Sequence, residues 1–535
     1  MLRRLCQLIS LACFLILLWY AAFPLVLPVP PDLFLNMDPL VFFTTLIAVR
    51  GLVPPLLLAA VILGFTVIFG RFFCSMVCPL GTTIDITDRM VRPAPFSRRV
   101  RSKSWKIVKY LVLSFVVCAA LLKVSFAFLV APIPLVTRLY GLVLYPVISL
   151  AADAGLNLIR PFAERIGAER IAYAEFLHQG FALRWLMAVL AGSIIACGIL
   201  APRFWCRYLC PAGAIFAIAS RRPRWRRRVS PDCTSCGACR KKCPMDAIAD
   251  DPRVTEHSEC ILCRTCAGVC PAGAVSFSFS GHENPRKTGL FSAHRRAFIF
   301  SGLSGAAAAF FTLSGMKGLS RDRENKTSLL RPPGAVPEDG FLARCVGCGG
   351  CMKTCPTNVL QPAGLSAGVA GILSPVMVPR IGPCEPSCNA CGQVCPTWAI
   401  RPLPLDEKRY AKVGTASIDR QRCIAWKDGK ACLVCDEVCP YGAVDLQRVK
   451  GISVAVPFVG EGRCNGCGFC ENYCPVPGKA AIVVGSSGAL RLEEGSYREK
   501  SRAIGLSIEP RKEQAPGPEQ PDGKKAGQLP PGFTE

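Results

Sequence analysis

The feature that leaves the fewest options is a spacing: C-x2-C-x2-C-x3-C-P at Cys233, Cys236, Cys239 and Cys243, repeated after a short gap at Cys260, Cys263, Cys266 and Cys270. Four further groups follow, Cys345, Cys348, Cys351 and Cys355; Cys384, Cys388, Cys391 and Cys395; Cys423, Cys432, Cys435 and Cys439; Cys464, Cys467, Cys470 and Cys474, each closing on C-x3-C-P. Three thiolates in one compact loop can grip three irons of a [4Fe-4S] cubane, while the fourth, on the helix that follows, reaches a second cluster. By that rule Cys233, Cys236, Cys239 and Cys270 hold one cluster, and Cys260, Cys263, Cys266 and Cys243 another. The middle two of the later groups have longer first gaps, as insertion into a ligand loop produces, so four cubanes are expected there and six in the chain. Pairing among those four groups stays open. Zinc favours paired C-x2-C knuckles, and three cysteines per loop plus Cys-Pro, six times over, argues against it.

Composition narrows the class further. The chain has 535 residues, 32 cysteines, 4 histidines, a formal net charge of +26, 51% hydrophobic and only 19% charged residues. That is no ordinary soluble domain, and it is too long for a secreted disulfide scaffold. Covalent haem needs Cys-x-x-Cys-His, and no cysteine here precedes a histidine. A membrane b-type haem needs a histidine inside a span, but His178, His257, His282 and His294 lie outside the apolar runs.

Those runs are Leu5 to Phe23, Leu52 to Phe69, Ile107 to Val130 and Leu186 to Leu200. A bilayer core of about 30 Å takes roughly 20 residues, so each is read as a span, the last slightly short. Arg89, Arg92, Arg98, Arg99, Arg101, Lys103 and Lys106 follow the second run, and Arg221, Arg222, Arg224, Arg226, Arg227 and Arg228 follow the fourth. The positive-inside rule puts both stretches in the cytoplasm and the loop with Asp32 and Asp38 outside. The segment after Pro132 and Pro134 reads as an outer stretch of amphipathic helices. Nucleic acid is a poor partner for basic runs placed directly after apolar spans.

The expected fold is a membrane α-helical domain, four spans in two pseudo-repeated hairpins, plus two ferredoxin-like α+β 4Fe-4S modules joined by a fifth membrane segment. Its parts are residues 1–220 for the helical domain, 228–280 for a cytoplasmic two-cluster ferredoxin, 290–317 for the fifth segment, 338–485 for a four-cluster domain after a Pro-rich linker Arg331 to Pro337, and 486–535 for a disordered tail. His294-Arg295-Arg296-Ala297-Phe298-Ile299, followed by a weakly apolar stretch to Met316, resembles a twin-arginine export signal.

Two more cysteine pairs end the second and fourth runs. Gly70-Arg71-Phe72-Phe73-Cys74-Ser75-Met76-Val77-Cys78-Pro79-Leu80-Gly81 is echoed by Pro202-Arg203-Phe204-Trp205-Cys206-Arg207-Tyr208-Leu209-Cys210-Pro211-Ala212-Gly213. The repeat predicts two hairpins about a pseudo-two-fold axis that bring Cys74, Cys78, Cys206 and Cys210 together as a metal or redox site. Packing cysteines are the alternative. Cys6, Cys13, Cys118 and Cys197 stand singly in apolar helices and read as small hydrophobes.

Taken together, residues 1 to about 285 resemble NapH, the membrane ferredoxin of periplasmic nitrate reductase systems, and residues 290 to about 485 resemble its exported four-cluster partner NapG. The chain looks like a fusion of the two, although a twin-arginine signal after four spans departs from the N-terminal position it has in the separate proteins. The resemblance implies quinol oxidation at the bacterial inner (cytoplasmic) membrane and delivery of electrons to a periplasmic reductase or cytochrome c, with no catalytic residue of the chain's own. The membrane motifs are also shared with NosR and CcoG, which leaves an assembly or redox-regulatory role as the alternative. If the stretch 297–316 stays on the inner side, all clusters serve a cytoplasmic partner instead.

Overall fold

The computed structural model describes residues 2–25, 28–90, 103–165, 168–169, 173, 179–279, 295–318 and 329–508. A helical body forms the first part: α1 (Leu2–Trp19), α2 (Pro39–Val49), α3 (Leu57–Phe69), α4 (Phe72–Met76), α5 (Pro79–Met90), α6 (Val108–Leu121), α7 (Pro132–Arg165), α8 (Arg184–Ala196) and α9 (Pro211–Ala219). Local chemistry sets several starts. Asp38 caps α2 by accepting from the Leu40 N–H at 2.9 Å, and Pro39, Pro79, Pro132 and Pro211 stand at first helical positions, where no N–H is needed.

The four-span architecture with a fifth segment does not survive. Among the described residues one helix is long and apolar enough to cross a membrane, the 34-residue α7, which lies in the stretch read as an outer amphipathic segment. The apolar runs are interrupted. The second opens with a 3-10 turn at Pro54–Leu56, leaving 13 helical residues in α3. The third breaks where Lys123 takes a left-handed φ of 62°, leaving 14 in α6. The fourth gives 13 in α8 before a 3-10 turn. At 1.5 Å per residue such helices reach about 20 Å, short of a bilayer core. In α1 the first two turns are committed to polar contacts, Arg3 and Gln7 both binding Asp85.

The segment 290–317 also departs from a plain span. Its described part forms α10 (Arg295–Gly318), which lies along α6, with the Ser301 hydroxyl donating to the Leu111 carbonyl at 2.6 Å. A Cβ at Gly305 would stand 2.2 Å from the Phe115 carbonyl oxygen, so only glycine permits this approach. The start of the export-signal motif, up to His294, lies outside the described residues, as do His178, His282, Arg92, Arg98, Arg99 and Arg101.

Beyond the body the chain repeats one design three times. Strands β1 (Trp225–Val229) and β2 (Val275–Phe279) pair antiparallel, Trp225 opposite Phe279, around the two cysteine groups between them. Residues 334–336 and 399–401 do the same around the next two: Val336 donates to Ala399 and Arg401 to Gly334. A short pair, β3 (Leu360–Pro362) with β4 (Pro375–Met377), adds to that unit. Around the last two groups β5 (Thr415–Ile418) pairs with β8 (Ile482–Gly485), with β6 (Val444–Arg448) and β7 (Ala455–Val459) paired between them. The part expected to hold four clusters is thus two such units, and the expected linker at Arg331 to Pro337 is its first edge, with Arg331 buried on Glu338. The tail begins later than expected: the helix Tyr497–Ala503 folds back, with Tyr497 fully buried, and residues 509–535 lie outside the described ones.

Candidate metal centres

In four of the six cysteine groups the residue after the second cysteine is left-handed: Gly237 (φ 69°), Arg264 (57°), Gly349 (80°) and Gly468 (89°). This turn lets two residues separate each pair of thiols and still aim all three inwards, and glycine adopts it without cost. The two groups with longer first gaps do without it. Asn389 has φ −128° and Leu433 −108°, because the extra residues, including a helical turn at Ile424–Lys427, make the bend instead.

The fold groups the cysteines whose pairing spacing leaves open. Cys355 joins Cys384, Cys388 and Cys391 around one cavity. Cys474 joins Cys423, Cys432 and Cys435 around another, and Cys439 joins Cys464, Cys467 and Cys470 around a third. Cys345, Cys348 and Cys351 each lie within electrostatic reach of Cys395. Within each unit, therefore, the two groups exchange their last cysteine. In the first unit Cys243 lines a cavity with Cys260, Cys263 and Cys266, as the exchange rule requires. For the remaining set the structure brings Cys239 and Cys270 into one small core, while Cys233 is half-buried and Cys236 exposed.

The donor chemistry fits iron–sulfur clusters. Burial pushes Cys348 and Cys260 up to about 12 and Cys345 and Cys266 up to about 11, and neighbouring thiols add to the shift. Buried thiols that oppose one another's ionisation become ligands only when a metal centre supplies positive charge. Backbone N–H groups already point at several sulfurs, Ala443 to Cys439 at 3.3 Å and Ala416 to Cys464 at 3.4 Å. Such hydrogen bonds tune a bound cluster. No group of three or more His, Cys, Asp or Glu among the described residues is arranged to hold a single ion.

Cys74 and Cys206 pack against Met245, Ala247 and Ile261 and the thiols of Cys243, Cys260 and Cys263. Cys78 and Cys210 are buried behind them, and the four thiols all influence one another electrostatically. The sequence reading missed the residues that set this junction. Arg71 donates to Glu259 at 2.9 Å, and Lys109 reaches the same carboxylate at 2.5 Å. Burial alone would raise the Glu259 carboxyl, but Lys109 and Arg71 hold it below the ordinary glutamate value. Arg203 binds Asp85 and donates to the Cys74 carbonyl at 3.0 Å. Arg71 and Arg203 stand at the same place in the two repeats, a signal the sequence carried. Nothing local marks Arg227, whose guanidinium lies 3.6 Å from the Cys239 sulfur.

Comparison with known proteins agrees with this chemistry. A family model for a 4Fe-4S binding domain matches residues 52–103 and 183–230, the stretches that carry the two repeated cysteine pairs, and a second 4Fe-4S binding domain model matches residues 342–361. The methylamine utilization ferredoxin-type protein MauM of Methylorubrum extorquens is 40% identical over 162 residues, 29% of this chain and 71% of that protein. The ferredoxin-type protein NapG of Escherichia coli is 34% identical over 165 residues, 29% of this chain and 70% of that one. The putative electron transport protein YccM of Escherichia coli is 28% identical over 254 residues, 46% of this chain and 59% of YccM. No solved structure matches. With cysteine loops of this geometry and relatives of this kind, the chain belongs to the MauM and NapG family of ferredoxin-type electron-transfer proteins.

Proposed function

We propose that the chain is a membrane-anchored electron carrier of the inner membrane that takes electrons from quinol and passes them to a periplasmic reductase or cytochrome, a NapH-like part and a NapG-like part in one polypeptide. The observation that carries the reading is the exchange of the last cysteine between the two groups of a unit, which puts two sets side by side in each of three units. On this reading Cys233, Cys236, Cys239 and Cys270, Cys243 with Cys260, Cys263 and Cys266, and the four C-terminal sets hold six [4Fe-4S] clusters. Each cluster, when bound, carries one electron. The protein's part is to hold the sets close, bury them and aim backbone N–H groups at their sulfurs.

Two features support the membrane and quinol parts. Large apolar side chains stand exposed around the body, Leu8 and Ile16 on α1, Val61 and Phe65 on α3, Leu158 and Phe162 on α7, Trp185 and Val189 on α8, more than a soluble surface carries. Between α5, α7 and α8 lies an apolar cavity lined by Leu80, Leu135, Met187 and Ile194, with Thr83 and Arg138 as its polar groups. Such a pocket suits a quinol ring and tail.

Anaerobic mixing of the cluster-loaded protein in lipid with excess menaquinol or ubiquinol analogue tests the reading by visible bleaching and EPR. Rapid partial reduction is expected. No reduction while dithionite reduces every cluster would remove the quinol step. A reporter fused after Gly340 tests the side of delivery, with periplasmic activity expected.

A further inference from the structure

Arg227 stands on β1 with its side chain turned into the first unit, 4% exposed. Its guanidinium meets both cysteine sets of that unit. The Nη2 lies 3.6 Å from the Sγ of Cys239, which belongs with Cys233, Cys236 and Cys270, and the same side chain lines the cavity of Cys243, Cys260, Cys263 and Cys266. Burial pushes the Cys266 thiol up to about 11, and Arg227 pulls against that shift. The acceptors that fix the group are neutral: Nη1 donates to the Pro252 carbonyl at 3.0 Å and to the Thr255 hydroxyl at 2.7 Å. Nε is buried with no hydrogen-bond partner among the described residues. Neutral acceptors hold a cation without cancelling its charge, and burial strengthens its field on near neighbours.

The other two units fill the same position differently. One edge N–H in each unit sets the register: Ser230 donates to Ala274 at 2.9 Å, Val336 to Ala399 at 3.1 Å and Asp419 to Ala481 at 2.7 Å. Three residues before these donors stand Arg227, Pro333 and Ala416. Each lines the cavity of the equivalent set, Pro333 that of Cys355, Cys384, Cys388 and Cys391, and Ala416 that of Cys439, Cys464, Cys467 and Cys470. One place in a repeated design thus carries an apolar residue twice and a guanidinium once.

We propose that Arg227 is a positioning residue shared by two iron–sulfur clusters, whose charge raises the reduction potentials of both and makes the first unit the one that fills with electrons before the third. An added electron makes a cluster one charge more negative, with no bond made or broken, and a fixed cation beside it favours that state. Because the guanidinium lies between the two sets, one substitution should move two centres. The proposal rests on the cluster reading of the units, and the test separates the two.

The test is an anaerobic redox titration of the whole cluster-loaded chain, followed by EPR and iron content. Signals of the first unit are those that vanish in the double variant Cys239→Ser, Cys266→Ser, and no loss of iron in that variant would overturn the cluster reading itself. Arg227→Met keeps the length of the side chain and removes its charge. Iron should stay at the native level, the reduction equilibrium of both first-unit centres should fall about tenfold, or about 59 mV each, and the centres of the other two units should hold their potentials. Arg227→Lys should recover most of the fall. Two unchanged potentials in Arg227→Met, a fall in one centre only, or a lysine variant as low as the methionine one would each overturn the proposal. Should Arg227→Met lose iron, the native chain decides: first-unit centres that fill before those of residues 415–485 support the assignment, and the reverse order overturns it.

Discussion

At the end of the helical body that carries Cys74 and Cys206, the unit 225–279 is held by charge: Glu259 between Arg71 and Lys109, Glu256 on Lys106 at 2.6 Å, Asp246 on Arg207 at 3.5 Å. At the other end, the unit that begins near Leu330 is held by neutral acceptors and close packing. Arg138 donates to the Gly347 carbonyl at 3.1 Å, Lys353 to the Ala21 carbonyl at 3.2 Å, and the Gln179 amide to the carbonyls of Lys353 and Cys355. Leu142 presses on Gly349, where a Cβ would stand 2.6 Å from its Cδ1. Helix α1 joins the two ends, Arg3 at Asp85 and Ala21, just past its last turn, at Lys353, so its 18 residues separate them by about 27 Å. Buried ion pairs are directional and costly when broken, whereas carbonyl acceptors and apolar contact tolerate small shifts. One end is specified by charge and the other by shape.

The largest test of that contrast is Glu259→Ala, which strands Arg71 and Lys109 in the interior. Breaking such a buried group costs about 3–5 kcal/mol. Trypsin should then cut at Arg221–Arg228 under conditions that leave the native chain intact, with no new cleavage near Cys345. Gly349→Ala should act at the opposite end, through overpacking and left-handed strain, by about 1–3 kcal/mol. Faster amide exchange over residues 345–355, with residues 256–266 unchanged, is the expected readout.

Acid should also separate the ends. Burial would raise the Asp85 carboxyl, but Arg203 and Arg3 beside it hold it below the ordinary aspartate value of 3.8. A carboxylate depressed in the folded chain contributes fully above 3.8 and loses that contribution as pH falls through its folded value. Exchange at α5 should therefore rise below pH 3.8 before exchange at the carbonyl-held end does, and simultaneous opening of both ends would remove the contrast. The smallest effect belongs to Asp250→Asn. Its pair with Arg240 has Asp250 73% exposed, so the change should cost under about 0.5 kcal/mol, measured by denaturant titration of the same tryptic site.

The ligand loops can be read from the sequence because three of four thiols in each set are local, and the exchanged fourth lies in the neighbouring group of the same unit. The junctions cannot. Arg71 and Glu259 are 188 residues apart, and neither position has a local pattern that names the other. Hydropathy reports composition, not helical continuity, so the left-handed Lys123 and the turn at Pro54–Leu56 cut apparent spans short. The opposite error occurs at α7, where the stretch after Pro132 and Pro134 reads as an outer run of amphipathic helices and the structure has one long apolar helix. A π-helical stretch, Leu139–Leu144, joins the two α-helical parts, so the helix runs on.

The reach of Arg71 to Gly213 and of Arg203 to Gly81 is reciprocal. Each copy completes its partner and not itself, which is the rule of an isologous contact. A lone hairpin of this kind would find that guanidinium only in a second copy of itself, and this chain supplies both copies in one polypeptide. The stretch that connects the two copies, between Met90 and Leu183, is under no such symmetry, and among the described residues it holds the one helix long and apolar enough to cross a membrane, α7.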